Sequence, residues 1–150
     1  MAHVGVTRHP TDAWVAQQLR EATPFDQRPA YLLRDNDSKY GGAFSRVAAA
    51  SGIEERRTAY RAPKGNAICE RFLGSVRREC LNHLLILSEA HLRRILREYV
   101  TYFNNDRPHQ GLQQRVPTAN EGMTSMLADT DLVQAAPVLG GLHHTYRRAA

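Results

Sequence analysis

The sequence predicts an α/β fold, and three observations carry that expectation. Short apolar or alternating runs recur at His3–Thr7, Ala30–Leu33 and Ile53–Tyr60. Helical spacing fills the stretches between them, and two longer helical patterns follow. Strands that alternate with helices build a sheet covered by helices. A chain of 150 residues is long enough to bury one real core.

Each element has its own local signal. His3-Val4-Gly5-Val6-Thr7 alternates and reads as a short opening strand. Thr11 suits an N-cap, with Asp12 in the first turn behind it. Trp14, Val15, Gln18 and Leu19 then share one helical face over Ala13 to Glu21. Pro24 and Pro29 bracket a loop. Ala30-Tyr31-Leu32-Leu33 reads as a buried strand running into the polar turn Arg34-Asp35-Asn36-Asp37. Ala43 to Ser51 reads as a small helix with Phe44, Val47 and Ala48 inward and Gly52 as its stop. Ile53 to Tyr60 alternates weakly, as a strand.

The stretch from Ala62 to Leu85 opens with a Pro-Lys-Gly loop and becomes a helix. At about 100° per residue, Ile68, Cys69, Phe72, Leu73, Val76, Cys80 and Leu84 gather on one broad side, read here as buried. Asn66, Glu70 and Arg77 fall together at its edge, because i, i+4 and i+7 are helical neighbours. Arg71 and Arg78 lie just beyond. Two readings stand side by side: an amphipathic surface helix with routine charge pairs, or a metal-binding carboxylate beside a phosphate-binding surface. Ser88 then caps the cleanest amphipathic helix, with Leu92, Ile95, Leu96, Tyr99, Val100 and Phe103 on one face and Arg93, Arg94 and Arg97 on the other. Asn104 to Pro108 ends it. Asn120 to Pro137 reads as a linker, and Val138 to Arg148 as a terminal strand or tail.

Charge narrows the partners. Lys and Arg number 20 against 15 Asp and Glu, for a net charge of +5, and the only lysines are Lys39 and Lys64. An arginine-rich surface suits phosphate, which the guanidinium fork binds bidentately. Nucleic acid is the first partner to consider and an acidic protein the second. Cys69 and Cys80 stand roughly 16 Å apart along one helix, too far to bridge within it; both are read as buried thiols in a reducing compartment. No apolar run approaches the ~20 residues of a membrane span, and the N-terminus lacks a signal-peptide core, so a cytoplasmic protein is expected.

Asp35 and Glu70 are the carboxylates to weigh. Ligands gather at the carboxyl ends of strands in open α/β sheets, and two carboxylates from a strand end and a helix suit a hard cation such as Mg²⁺. The bland alternative is a turn-forming Asp35 and a solvated Glu70. His143-His144 lack further ligands at zinc-like spacing, and His109 reads as a loop hydrogen-bonder.

Three ordered segments resemble a known family. They are Leu33-Arg34-Asp35-Asn36-Asp37-Ser38-Lys39-Tyr40, Ala62-Pro63-Lys64-Gly65-Asn66-Ala67-Ile68-Cys69-Glu70-Arg71-Phe72, and Tyr102-Phe103-Asn104-Asn105-Asp106-Arg107-Pro108-His109-Gln110-Gly111-Leu112. Together they look like the DDE-type integrase core domain of insertion-sequence transposases. The resemblance implies a ribonuclease H-like fold over 3–117, with 118–150 as C-terminal linker and tail. It implies Mg²⁺-dependent DNA strand cleavage and strand transfer. Asp35 would match the family's second acid and Glu70 its third, as catalytic residues and metal ligands. Lys64, Asn66, Arg71, Arg77 and Arg78 would lie near DNA. The Asn-Asp-Arg-Pro-His segment is a family marker to which the sequence assigns no chemical role.

One departure matters. The family's first acid lies on a strand upstream of His3, and Asp12, at a helix start, is in the wrong context to replace it. The chain is therefore read as an N-terminally truncated core, with weak Mg²⁺ binding and little or no catalysis alone. Its expected partners are DNA and itself or a full-length transposase. The competing reading is a non-catalytic DNA-binding or regulatory remnant of a mobile element.

Overall fold

In the computed structural model, residues 3–24, 28–58, 67–118 and 133–149 are described. The chain forms two compact units, 2–75 and 76–150.

In the first unit, Thr11 caps α1 (Asp12–Ala22), its hydroxyl accepting the Trp14 N–H. β1 (Tyr31–Arg34) follows, then α2 (Gly42–Ala50) and β2 (Glu54–Arg57). β1 and β2 pair in parallel, Tyr31 opposite Glu54 and Arg34 opposite Arg57. A parallel pair needs a crossover, and α2 supplies it. Ala16 and Leu19 from α1, Phe44, Val47 and Ala48 from α2, and Ile53 form the core. The α2 residues are those whose spacing marked them as inward. Tyr40 meets Phe44 edge-on, with ring centroids 4.9 Å apart. Gly52, at φ +66°, ends α2 as expected, because a left-handed residue there costs glycine least.

Two expectations fail in this unit. His3–Thr7 forms no strand among the described residues; instead His3 Nε2 bonds the Gln18 side chain at 2.9 Å. Alternation alone cannot make a strand without a partner edge. β1 is also not a buried strand, since Tyr31 and Leu33 are exposed. Its buried residue is Arg34, 5% exposed. Arg34 is tolerated there because Nε meets Glu55 at 2.8 Å and the guanidinium lies 5.2 Å from the Tyr40 ring centre.

α3 (Ala67–Glu79) carries Glu70 in its first turn and Arg77 and Arg78 in its last, the order its dipole favours. Its broad apolar side is not buried as a whole. Val76 and Cys80 are buried, whereas Ile68 is 86% and Leu73 63% exposed, and Cys69 is exposed as well. Periodicity marks which residues share a face, but burial also needs an element packed on that face along its full length. The two thiols therefore differ. A disulfide reagent at mild alkaline pH is expected to titrate one thiol per chain quickly, at Cys69. Cys80 should react only on unfolding, because burial, and then the charge of Glu98, pushes its thiol up to about 11. Two equally fast thiols would contradict this assignment.

In the second unit, a 3₁₀ turn (Leu81–His83) leads to α4 (Glu89–Asn105), which Ser88 caps through the His91 N–H. Ile95, Leu96 and Tyr99 are its buried residues. β3 (Val133–Val138) and β4 (His143–Arg148) form an antiparallel hairpin around a turn at Leu139–Gly141. Residues 133–137 are thus strand, where a linker was expected. The run is low in aromatics, and its strand character comes from pairing with β4.

Candidate functional site

The carboxyl end of β1 is held by a set of local bonds. The Arg34 guanidinium donates to the Asp35 carbonyl at 3.1 Å, and the Thr58 N–H donates to the Arg34 carbonyl at 2.8 Å. Asn36 reaches across to the Thr58 carbonyl at 3.1 Å. The Asp35 carboxylate accepts the Asp37 N–H at 3.2 Å, and Asp37 in turn accepts the Lys39 N–H at 3.0 Å. Two successive Asx turns therefore carry the chain away from the strand. Hydrogen bonds from the Lys39 backbone and side chain hold the Asp37 carboxyl below its ordinary value. Asp35 is left exposed, with one carboxylate oxygen engaged in the turn.

Glu70 is exposed in the first turn of α3. The routine charge pairs of an amphipathic surface helix are not formed by Glu70 among the described residues. Among the described residues Glu70 forms no ion pair, and Arg71, Arg77 and Arg78 are exposed and unpaired. On a helix surface long arginine side chains reach water more cheaply than they reach one another. Lys64 and Asn66 lie outside the described residues.

Asp35 and Glu70 offer hard oxygen donors of the kind Mg²⁺ takes. Among the described residues, however, no three His, Cys, Asp or Glu side chains stand together as a metal-holding group. The described residues do not by themselves complete a site.

Three other acids that might have completed it are engaged elsewhere. Asp12 accepts the backbone N–H groups of Gly41 at 3.1 Å, and of Ala43 and Phe44 at 2.8 Å each. It caps α2 from α1, where Gly41 has no side chain to do so. A Cβ on Gly41 would come within 2.7 Å of the Asp12 carboxylate, so the glycine makes room for its own cap. The Ala43 and then the Phe44 N–H hold the Asp12 carboxyl below its ordinary value. Glu55 belongs to Arg34. Burial raises its carboxyl, but the Arg34 and Ser45 hydrogen bonds and the Arg34 and Arg57 charges outweigh burial and leave it lowered.

Glu79 sits at the hub of the second unit. Arg107 grips it bidentately, Nε to Oε2 at 2.7 Å and Nη2 to Oε1 at 2.6 Å, and the Tyr99 hydroxyl donates to Oε2 at 2.9 Å. His143 donates from Nε2 to the Glu79 carbonyl at 2.7 Å and stacks on Tyr102, with centroids 4.8 Å apart. Burial pushes the Glu79 carboxyl up, but the Arg107 and Tyr99 bonds, with the Arg107 and His143 charges, bring it below its ordinary value. His109 donates to the Phe103 carbonyl at 2.9 Å, as a loop hydrogen-bonder should. The Asn-Asp-Arg-Pro-His segment thus has a physical role: it clasps the end of α4 to the end of α3. The signal for it in the sequence was an arginine just past a helix end. Its partner, 28 residues upstream, could not be named from spacing.

Among the described residues no helix is long and apolar enough to cross a membrane. Residues 51–117 match the family described as integrase core domain; the match includes Glu70, α3, α4 and Arg107. The chain is 29% identical over 106 residues to the insertion element IS407 uncharacterized 31.7 kDa protein of Burkholderia multivorans, covering 70% of this chain and 38% of that protein. It is 32% identical over 108 residues to the insertion element IS476 uncharacterized 39.2 kDa protein of Xanthomonas euvesicatoria, covering 71% and 31%. The alignments thus span about a third of the length of these curated relatives. No solved structure matches. The three ordered segments and these likenesses point the same way: residues 51–117 match the integrase core domain family, and the chain is similar to proteins of insertion elements.

Proposed function

We propose that residues 3–117 form part of a ribonuclease H-like DDE catalytic core acting in DNA transposition, and that Asp35 and Glu70 are two of its three acids. The observation that carries this reading is the exposed Asp35 carboxylate at the carboxyl end of a parallel strand, where α/β sheets place their ligands. The exposed Glu70, inside the family match, supports it. Asp12, Glu55 and Glu79 are committed to structure, which supports a third acid supplied from outside these residues. Mg²⁺ bound by such acids would activate the attacking oxygen and stabilise the leaving one during cleavage and strand transfer. Asp35 and Glu70 would hold it.

The test begins with the nucleotide sequence upstream of the Met1 codon. If it encodes a strand ending in Asp, the longer product should nick and join DNA in Mg²⁺. Asp35→Asn and Glu70→Gln should each then reduce the rate by more than the about 10–100-fold typical of losing a supporting partner of a ligand. The 150-residue chain alone should show no strand transfer. Robust Mg²⁺-dependent cleavage by this chain, abolished in Glu70→Gln, would overturn the incomplete-site reading.

The exposed, unpaired Arg71, Arg77 and Arg78 favour a second reading, a DNA-binding or regulatory remnant that interferes with a full-length transposase. It requires DNA binding that weakens with salt and survives Asp35→Asn. Binding that is undetectable or indifferent to salt would count against it.

A further inference from the structure

Between α1 and α2 lies an open groove that the catalytic reading does not use. The two helices start together, because Asp12 on α1 caps α2. Ala13 and Ala16 on one side, and Ala43, Val47 and Ala50 on the other, line a groove of about 550 Å³. Ala16 and Val47 form its floor, 2% and 7% exposed, and Ala13 and Ala50 stand exposed at its walls. The spacing is helical on both sides, i and i+3 on α1, and i, i+4 and i+7 on α2. From Ala43 to Ala50 the row runs about 10 Å, roughly two turns of a helix. Side chains this small raise little ridge, so another helix can come close.

Charge indicates which partner fits. Arg20 and Arg46 also line the groove, and Arg28 joins them by donating from Nη1 to the carbonyl of the lining residue Ser51 at 3.0 Å. All three arginines are exposed, and Arg20 donates to Gln17 at only 3.4 Å. Among the described residues none of the three forms an ion pair, and no carboxylate lines the groove. The charge of Arg46 reaches Asp12, but that carboxylate already accepts three backbone N–H groups. Guanidinium groups in this setting suit carboxylates, which they grip bidentately. Phosphate would satisfy the arginines but leave the alanine rows in water, whereas an acidic amphipathic helix covers both. A second copy fits badly, because the same face on both partners would set arginines against arginines.

We propose that the α1–α2 groove docks an acidic amphipathic helix of a partner protein. Its apolar stripe lies on the alanine rows, and its carboxylates meet Arg20, Arg28 and Arg46. None of these residues belongs to the proposed acids or to the α3 arginines, so the proposal stands apart from the DNA reading. The probe is a fluorescein-labelled helical peptide of about 15 residues, with leucines at i, i+3, i+4 and i+7 and glutamates beside them. Its control carries lysine at every glutamate. Anisotropy is read with the 150-residue chain across a salt series, for the parent, Ala50→Phe and the double variant Arg20→Gln/Arg46→Gln. A labelled DNA duplex is run alongside. The substituted positions are exposed, so both variants should keep the parent's circular dichroism and melting temperature.

The acidic peptide is expected to bind, more weakly as salt rises, and the lysine control is not. Ala50→Phe fills the groove and should weaken binding by about tenfold. The double arginine variant should weaken it by about fivefold and flatten its salt dependence. Equal binding of the two peptides, or of the parent and both variants, would overturn the proposal, as would no binding of the acidic peptide at low salt. If the acidic peptide fails while the duplex loses affinity in the double variant, the face takes nucleic acid and the proposal is wrong. If Ala50→Phe instead dissolves a dimer in sedimentation and the peptide does not bind, the groove serves self-association and the proposal is equally wrong.

Discussion

Arg107→Ala is expected to lower the stability of the 76–150 unit by about 2–3 kcal/mol. Breaking a fully buried pair by removing one partner costs about 3–5 kcal/mol. Here each side chain keeps 25% of its surface in water, which softens the loss. The damage is to Glu79, which stays in the core with only the Tyr99 hydroxyl as a side-chain donor. Amide hydrogen exchange along α4 would read the change locally. Glu79→Ala should have a similar effect, and the double variant should cost less than the sum of the two, because the partners share one interaction. Additive losses would show that the clasp is incidental. The sign of the pH dependence follows from the lowered Glu79 carboxyl. Its contribution is complete above the ordinary glutamate value of 4.5 and is lost as pH falls through the lower folded value. Glu79→Gln should remove that acid sensitivity.

Asp12→Ala is expected to lower the melting temperature of the 2–75 unit by roughly 5–10 °C, the scale on which losing a helix cap acts in a unit of this size. Three N–H groups at the start of α2 lose their acceptor together. Trp14 is the single tryptophan and lies in this unit, so its fluorescence reports the transition. Asp12→Asn should recover part of the loss, since it retains one oxygen acceptor. Because the folded Asp12 carboxyl is lowered from 3.8, its stabilisation is present above that value and lost as pH falls below it. An unchanged melt for Asp12→Ala would remove the structural explanation of this acid and reopen it as a ligand.

The sequence by itself determined the elements whose signal is local. Thr11 and Ser88 are N-caps because a hydroxyl there reaches an N–H three residues on. Phe44, Val47 and Ala48 point inward because helical spacing puts them on one face, and Gly52 ends α2 because a left-handed turn is cheapest for glycine. The likeness to the integrase core domain was legible too, since three ordered segments carry far more information than any one. Only the tertiary structure decided matters that depend on distant partners. It showed that Asp12 is a cap for a helix about 30 residues away, that Arg34 belongs to Glu55 and Arg107 to Glu79, and that residues 133–137 form a strand with β4. It also showed that Ile68, Cys69 and Leu73 are exposed, although they share a helix side with the buried Val76 and Cys80. Caps and periodicities act through neighbouring backbone, whose geometry the residue types constrain. Ion pairs, burial and strand pairing act through space, and sequence separation does not say which residues the fold will bring within reach.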